Sequence, residues 1–215
     1  MCHQFRSFLN IISFSSSLLR RNVNRETETQ KLPYLDNIQT AVEQIGTLLD
    51  KLLFLGQSEV GRLKFEPQPT EIARFCRDLT IQVEAISHSK QQTIDFICHD
   101  NLQTACVDRD LLEHAIINLL SNAIKYTPKN GRIEFKLFNE DKKLIFLIKD
   151  TGVGISKIEQ QRIFEPFYRG SNIDDTSGMG LGLTIAKNLI TLHGGQIQVE
   201  SQEGVGTTFT VTIPV

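Results

Sequence analysis

NLLSNAIKYTP, residues 118–128, sets three polar side chains on one stripe of an otherwise apolar segment. In a helix, positions three and four apart share a face, so Asn118, Asn122 and Lys125 line up while Leu119, Leu120, Ala123 and Ile124 fill the other side. Carboxamide oxygens are hard ligands suited to Mg²⁺, and an ammonium suits phosphate. Taken alone, the stripe reads equally well as a solvated polar face, so its neighbours decide.

DTGVGI, residues 150–155, follows directly on the apolar run LIFLIK. A carboxylate at a strand end, followed by two glycines, lets backbone approach a ligand closely, and Asp150 can accept from an exocyclic amine. Strand junctions also use Asp and Gly for their backbone angles alone. GMGLGL, residues 178–183, opens the stretch TIAKNLITLH. Alternating glycines at a helix N-terminus present N–H groups and the positive dipole end to an anion. No Lys-Ser/Thr pair follows and the spacing is not GxGxxG after a parallel strand, so this is a phosphate site of another kind. Between the two motifs, FEPFYRG (164–170) and the polar SNIDDTS (171–177) form a long segment with the character of a lid. Phe164 and Phe167 would pin its base, although plain packing also accounts for them, and Arg169 would reach a phosphate.

Around these motifs, periodicity places a helix from about Thr70 to His88, a strand at QTIDFIC (92–98) and a helix starting near Asp108. Strands follow at GRIEFKLFN (131–139) and KLIFLIKD (143–150), with a closing pair at GQIQVES (195–201) and TTFTVTIPV (207–215). Helices mixed with largely antiparallel strands predict an α+β fold, an α/β sandwich whose mixed, mostly antiparallel sheet carries helices on one face.

Ahead of it, Phe5, Phe8, Leu9, Ile12, Leu19 and Val23 recur at helical steps. Beyond the polar NRETETQ (24–30), Leu35, Ile38, Val42, Ile45, Leu49 and Leu52 alternate in threes and fours. Two such helices make an antiparallel hairpin too small to cover both apolar stripes. A second copy completing a four-helix bundle is expected, with docking on the rest of the same chain as the alternative. Gly56, Gly61 and RLKFEPQPT (62–70) mark a boundary, giving a hairpin over 1–58, a linker over 59–66 and a second domain over 67–215.

With 215 residues, 40% of them hydrophobic, the chain can bury a sizeable core. A net charge of -2 without a basic block argues against nucleic acid as main partner and against a polybasic membrane anchor. No apolar run approaches the roughly 18–20 residues that span a bilayer, so no direct membrane insertion is expected. Cys2, Cys76, Cys98 and Cys106 lack CxxC spacing and read as reduced thiols in a cytosolic setting. A zinc site drawn from Cys98, His99, Cys106 and His114 would lack the usual paired, short-spaced ligands.

In this order and spacing, the motifs of the second half resemble the ATP-binding domain of the sensor histidine kinases, within the wider group that includes DNA gyrase, a heat-shock chaperone family and the MutL mismatch-repair ATPases. NLLSNAIKY resembles the family's N box, DTGVGI its G1 box, FEPF its F box and GMGLGL its G2 box; GVGTTFTVTIP (204–214) is similar to its closing strands. The resemblance spans 67–215 and implies ATP and Mg²⁺ as cofactors. It implies Asn122 as the Mg²⁺ ligand, Asn118 lining the same polyphosphate region, Lys125 on phosphate, Tyr126 beside the nucleotide and Asp150 on the adenine amine. Gly152, Gly154 and Ile155 would shape the adenine pocket. Gly178, Met179, Gly180, Leu181, Gly182 and Leu183 would form the lid-side phosphate loop, and Thr208 would close the pocket floor. In the gyrase-like branch the Asn118 position is typically a glutamate that activates water. An amide there favours transfer to another nucleophile over hydrolysis.

HQFRSFLNII (3–12) is similar to the family's phosphoacceptor box, usually His-Glu-Phe-Arg-Thr-Pro-Leu. The resemblance therefore implies a protein-histidine kinase of a two-component system. Its hairpin would form the homodimer, ATP would phosphorylate His3, and an aspartate on a response-regulator receiver domain would take the phosphoryl group. It implies a cytoplasmic location, as the kinase core of a longer or membrane-attached sensor or as a shortened gene product. Gln4 departs from the family's carboxylate, which accepts the imidazole Nδ1 proton and raises the nucleophilicity of Nε2. Ser7 replaces the threonine used in phosphatase action and keeps a hydroxyl. Phe8 replaces the proline that bends the helix, and family members run a helical turn or more ahead of the histidine. These departures keep two alternatives open: an ATP-binding dimeric scaffold with weak or no autokinase activity, and an ATPase or phosphatase of the same fold.

Overall fold

The computed structural model describes residues 2–21, 28–59, 63–98, 104–170 and 179–215. It divides into two units, residues 1–63 and 64–215.

The first unit is a pair of helices, α1 (Cys2–Arg21) and α2 (Glu28–Glu59), packed on each other. Ser15 and Ala41 are buried, small residues that suit close helix approach. Leu9, Ile11 and Phe14 on α1 and Leu35, Val42 and Leu49 on α2 stay exposed. Much of the apolar periodicity is therefore uncovered in the single chain. The side chains of His3 and Gln4 lie outside the described residues, as do residues 22–27 between the helices; Ser7 is exposed.

The second unit runs β1 (Gln68–Thr70), α3 (Ile72–Ser89), β2 (Thr93–Cys98), β3 (Ala105–Val107), α4 (Arg109–Tyr126), β4 (Arg132–Glu140), β5 (Lys143–Asp150), α5 (Lys157–Gln160), α6 (Gly182–Leu192), β6 (Gln196–Gln202) and β7 (Gly206–Pro214). Its five-stranded sheet has the order β2-β4-β5-β7-β6, with β2 parallel to β4 and every other pair antiparallel. Antiparallel neighbours need only tight turns. Asp141 and Lys142, both with positive φ, close the β4–β5 hairpin in the two-residue geometry that matches strand twist.

Strict alternation then buries one face of the sheet. Ile133, Phe135 and Leu137 of β4, Leu144, Phe146 and Ile148 of β5, and Phe209, Val211 and Ile213 of β7 are all buried. Each fully buried side chain of this size stabilises the fold by roughly 1.5–3 kcal/mol. Opposing them are Leu112, Ile116, Leu119 and Leu120 of α4, with Leu79 of α3 and Leu189 of α6. The short β1–β3 pair and α5 add three elements that periodicity does not predict.

Both ends of α4 are fastened. The Asp108 side chain caps its N-terminus by accepting from the Leu111 N–H at 3.1 Å, and it also accepts from the Glu66 N–H at 2.8 Å. The Asp108 N–H in turn donates to Nε2 of buried His193, which follows α6, at 3.2 Å. At the other end Lys90 Nζ donates to the carbonyls of Ile124 and Lys125, at 3.0 and 2.9 Å. Gln92 Nε2 donates to those of Ile124 and Thr127, at 3.0 and 2.6 Å. These bonds satisfy carbonyls that a helix end leaves without internal partners. Among the described residues no helix is long and apolar enough to cross a membrane.

Candidate functional site

The C-terminal half of α4, the end of β5 and the start of β7 enclose a cleft of about 740 Å³, open solvent included. Seven residues singled out by sequence line it together: Asn122 and Tyr126 from α4, Asp150 from β5, Gly154 and Ile155 from the next loop, Arg169, and Leu183 from α6. Ile163 and Phe209 add apolar wall.

Asp150 is 5% exposed and ends β5 at the floor of this cleft. Its Oδ1 accepts from the Gly152 N–H at 2.8 Å and from the Thr207 N–H at 3.2 Å. Oδ2 has no partner among the described residues, and the cleft is where it can find one. Burial pushes the carboxyl pKa up from its ordinary value, while the two N–H donors pull it back. A buried acceptor with one oxygen spoken for and the other open suits a ligand that brings its own donor.

The glycines are required here by space. A Cβ on Gly152 would stand 2.7 Å from Asp150 Oδ1, and Gly154, at φ +70°, lies against the Gln202 carbonyl where a Cβ would collide. The G1 turn is thereby folded back onto the β6–β7 hairpin, and the Gly204 N–H donates to the Val153 carbonyl at 2.8 Å. Gly180, at φ +67°, packs on the backbone of Phe167 and Tyr168, and the Phe167 N–H donates to its carbonyl at 2.9 Å. The F box and the entry to α6 are thus joined.

The remaining predicted residues sit beside the cleft. Asn118 Nδ2 donates to the His114 carbonyl at 2.8 Å, and a Cβ on Gly182 would meet Asn118 Oδ1 at 3.1 Å, so the carboxamide lies against the first turn of α6. Lys125 Nζ donates to the Tyr126 hydroxyl at 2.9 Å, 4.6 Å from the ring centroid. Met179 is half-buried, whereas Leu181 is buried core at 1% exposure and does not line the cleft. Gly178 lies outside the described residues, as does His99.

One expectation is corrected. Thr208 pairs with Lys149 and Glu200, both exposed, on the outer face of the sheet; it is Thr207, register partner of Asp150, that lines the floor. Strand alternation makes the two threonines face opposite ways, so a one-residue shift exchanges floor for surface. Sequence also missed Ser201. Its Oγ accepts from the Ile155 N–H at 2.8 Å, donates to the Gly206 carbonyl at 2.9 Å and lies 2.9 Å from Thr207 Oγ1. The signal for it in the sequence is the apolar/polar alternation of GQIQVES, which gives side-chain parity but no partner.

Residues 107–215, just over half the chain, match the family described as histidine kinase-, DNA gyrase B-, and HSP90-like ATPase. The circadian input-output histidine kinase CikA of Synechococcus elongatus is 35% identical over the whole of this chain, which spans 29% of that protein's length. The histidine kinase AdeS of Acinetobacter baumannii superposes with a TM-score of 0.80 at 21% identity, over 99% of this chain and 97% of its own. Full-length ShkA, solved in complex with AMPPNP, superposes with a TM-score of 0.78 at 22% identity, over 95% of this chain and 45% of its own. At these identities the two solved structures speak for the fold.

Proposed function

Because the chain belongs to the histidine kinase-, DNA gyrase B- and HSP90-like ATPase family and carries a sensor histidine kinase catalytic core, we propose that it binds Mg·ATP in this cleft and uses it to phosphorylate His3. An aspartate of a response-regulator receiver domain then takes the phosphoryl group. The kinase acts as a cytoplasmic homodimer, which the exposed Leu9, Phe14, Leu35, Val42 and Leu49 of the hairpin support.

Asp150 carries this reading. Its open Oδ2, at the floor of a cleft walled by Ile155, Ile163, Leu183 and Phe209, suits a flat heteroaromatic ring whose edge presents an N–H donor, as the adenine amine does. Asn122 lines the same cleft with a hard carboxamide oxygen. One such ligand suits Mg²⁺, which keeps its waters and takes its other oxygens from substrate phosphates. When bound, the ion neutralises phosphate charge. Arg169 and the N–H groups that open α6 would hold the phosphates. In the transfer, His3 Nε2 attacks the γ-phosphorus, a P–N bond forms as the bond to the β,γ-bridging oxygen breaks, and ADP leaves.

Gln4 favours a second reading, an ATP-gated scaffold. Its amide oxygen can fix the imidazole tautomer but cannot take a proton. Incubation with γ-labelled ATP separates the two: an acid-labile, base-stable label that is absent in His3→Ala supports the kinase, nucleotide binding without label supports the scaffold, and absence of both overturns the site.

A further inference from the structure

The turn that walls the cleft is held from behind by a side chain that does not line it. Ile155 lines the cleft, and both of its main-chain polar groups are taken up. Its N–H donates to Ser201 Oγ at 2.8 Å, and its carbonyl accepts from Gln160 Nε2 at 2.8 Å. The same Gln160 nitrogen donates to the Ser201 carbonyl at 2.9 Å. Both partners are carbonyl oxygens, which only accept, so the amide must present its NH₂ to them, and each of its two hydrogens serves one. The direction of this bridge is therefore fixed by chemistry. Since β6 is the outermost strand of the sheet, no further strand holds the turn against it, and one carboxamide joins α5, the turn after β5 and β6. Earlier in the turn, the Val153 carbonyl accepts from the Gly204 N–H, and Gly154 packs on the Gln202 carbonyl. That part is fastened by backbone; Ile155 depends on the side chains of Ser201 and Gln160. Gln160 itself is half-buried and stands between Glu159 and Ile163, which both line the cleft.

We propose that Gln160 is a positioning residue of the nucleotide site: its carboxamide ties Ile155 to β6 and so keeps the base-side wall of the cleft in its binding arrangement. The inference rests on the adenine-nucleotide reading above and deepens it. Without the bridge the two carbonyls turn to water, and the wall is in place for only part of the time. A ligand that needs the wall then binds with its affinity reduced by the fraction of molecules in which the wall is in place. That fraction is a property of the free protein. The reduction is therefore the same for every ligand that packs on this wall, whether or not it carries phosphates.

Calorimetric titration of the whole chain with Mg·ADP and with adenosine, which shares the base and ribose but lacks the phosphates, tests this. Gln160→Met keeps the length and removes the donor. Both affinities should fall by one common factor, about two- to tenfold, the range of one neutral hydrogen bond. Gln160→Lys keeps a donor able to serve two carbonyls, as Lys90 does for Ile124 and Lys125, and should stay nearer the wild type for both ligands. In nucleotide-free Gln160→Met the Ile155 amide should also exchange its hydrogen faster than in the wild type, and regain protection on Mg·ADP binding. Unchanged affinities in Gln160→Met overturn the proposal and leave Gln160 a packing residue. A loss confined to Mg·ADP overturns it too, because the effect then lies at the phosphates, and so does a Gln160→Lys variant no better than Gln160→Met. Should Gln160→Met not fold, Gln160→Glu, which sets an oxygen against the two carbonyls, is read by the same criteria. Wild type that binds neither ligand removes the adenine reading itself, and this inference with it.

Discussion

Asp150 and Thr207 face each other across β5 and β7, and the Thr207 N–H donates to Asp150 Oδ1 over 3.2 Å. A backbone group of one strand thus orients a carboxylate at the cleft floor, and the direction of Oδ2 follows from strand register.

Asp150→Asn keeps the Oδ1 acceptor and exchanges Oδ2 for an N–H₂ donor, which would face the adenine amine. Mg·AMPPNP affinity should fall about ten- to a hundredfold, the value of a hydrogen bond to a charged group. The same change removes a buried charge, so the nucleotide-free protein should melt a few degrees higher, on the scale of about 2–4 °C per kcal/mol. Calorimetry and a thermal melt on one sample read both outcomes. Equal affinity in the two proteins would remove Asp150 from the site.

The pH dependence has a definite sign. Burial first, partly offset by the Gly152 and Thr207 N–H groups, raises the Asp150 pKa above that of the unfolded chain. The folded state therefore holds this proton more tightly than the unfolded state does. The charged form costs stability at neutral pH, and the cost is relieved as pH falls through the raised pKa. An adenine amine needs the ionised form, so the Mg·ADP affinity of the wild type relative to that of Asp150→Asn should decline over the same interval, at higher pH than an ordinary aspartate would give. Taking the ratio to the variant cancels phosphate protonation.

Gly154→Ala should cost at least about 2 kcal/mol, because a left-handed φ disfavours alanine and its Cβ meets the Gln202 carbonyl. Chemical denaturation measures the loss. A midpoint within error of wild type would mean that the G1 turn relaxes freely.

Gln92→Leu removes the donor to the Ile124 and Thr127 carbonyls while filling similar volume. Leaving the Thr127 carbonyl unpaired, with Lys90 alone on that of Ile124, should cost about 1–3 kcal/mol, and loosening the end of α4 that carries Tyr126 should weaken AMPPNP binding as well. Denaturation with calorimetry distinguishes a destabilised core with an intact site from the linked loss expected here.

Gln4→Glu supplies the base that the phosphoacceptor box lacks. Autophosphorylation of His3 should accelerate, with about 10²-fold as the lower end of what a general base contributes. Single-turnover labelling reads the rate directly. No acceleration would show that Gln4 does not limit the reaction.

Much of this molecule was legible before its fold was known, because its signals are local. The stripe Asn118, Asn122, Lys125 needs only the helical period, and the alternation of β4, β5 and β7 needs only the strand period. DTGVGI declares its turn by composition, and its glycines prove necessary in space. Other features were too short to carry a period: three-residue β1 and β3 and four-residue α5. The polar groups of Lys90 and Gln92 act more than thirty residues away, on α4, and no local pattern announces such a partner.

The sequence alone determined the order of the longer elements, the family resemblance and the chemistry available at each box. Tertiary structure decided which of two adjacent threonines enters the cleft and which backbone groups hold the Asp150 carboxylate. Local pattern assigns a residue to a strand, but cross-strand pairing is non-local and flips every side chain when it slips by one. The contacts of the Ser201 hydroxyl with Ile155, Gly206 and Thr207 likewise exist only once folding brings these residues together.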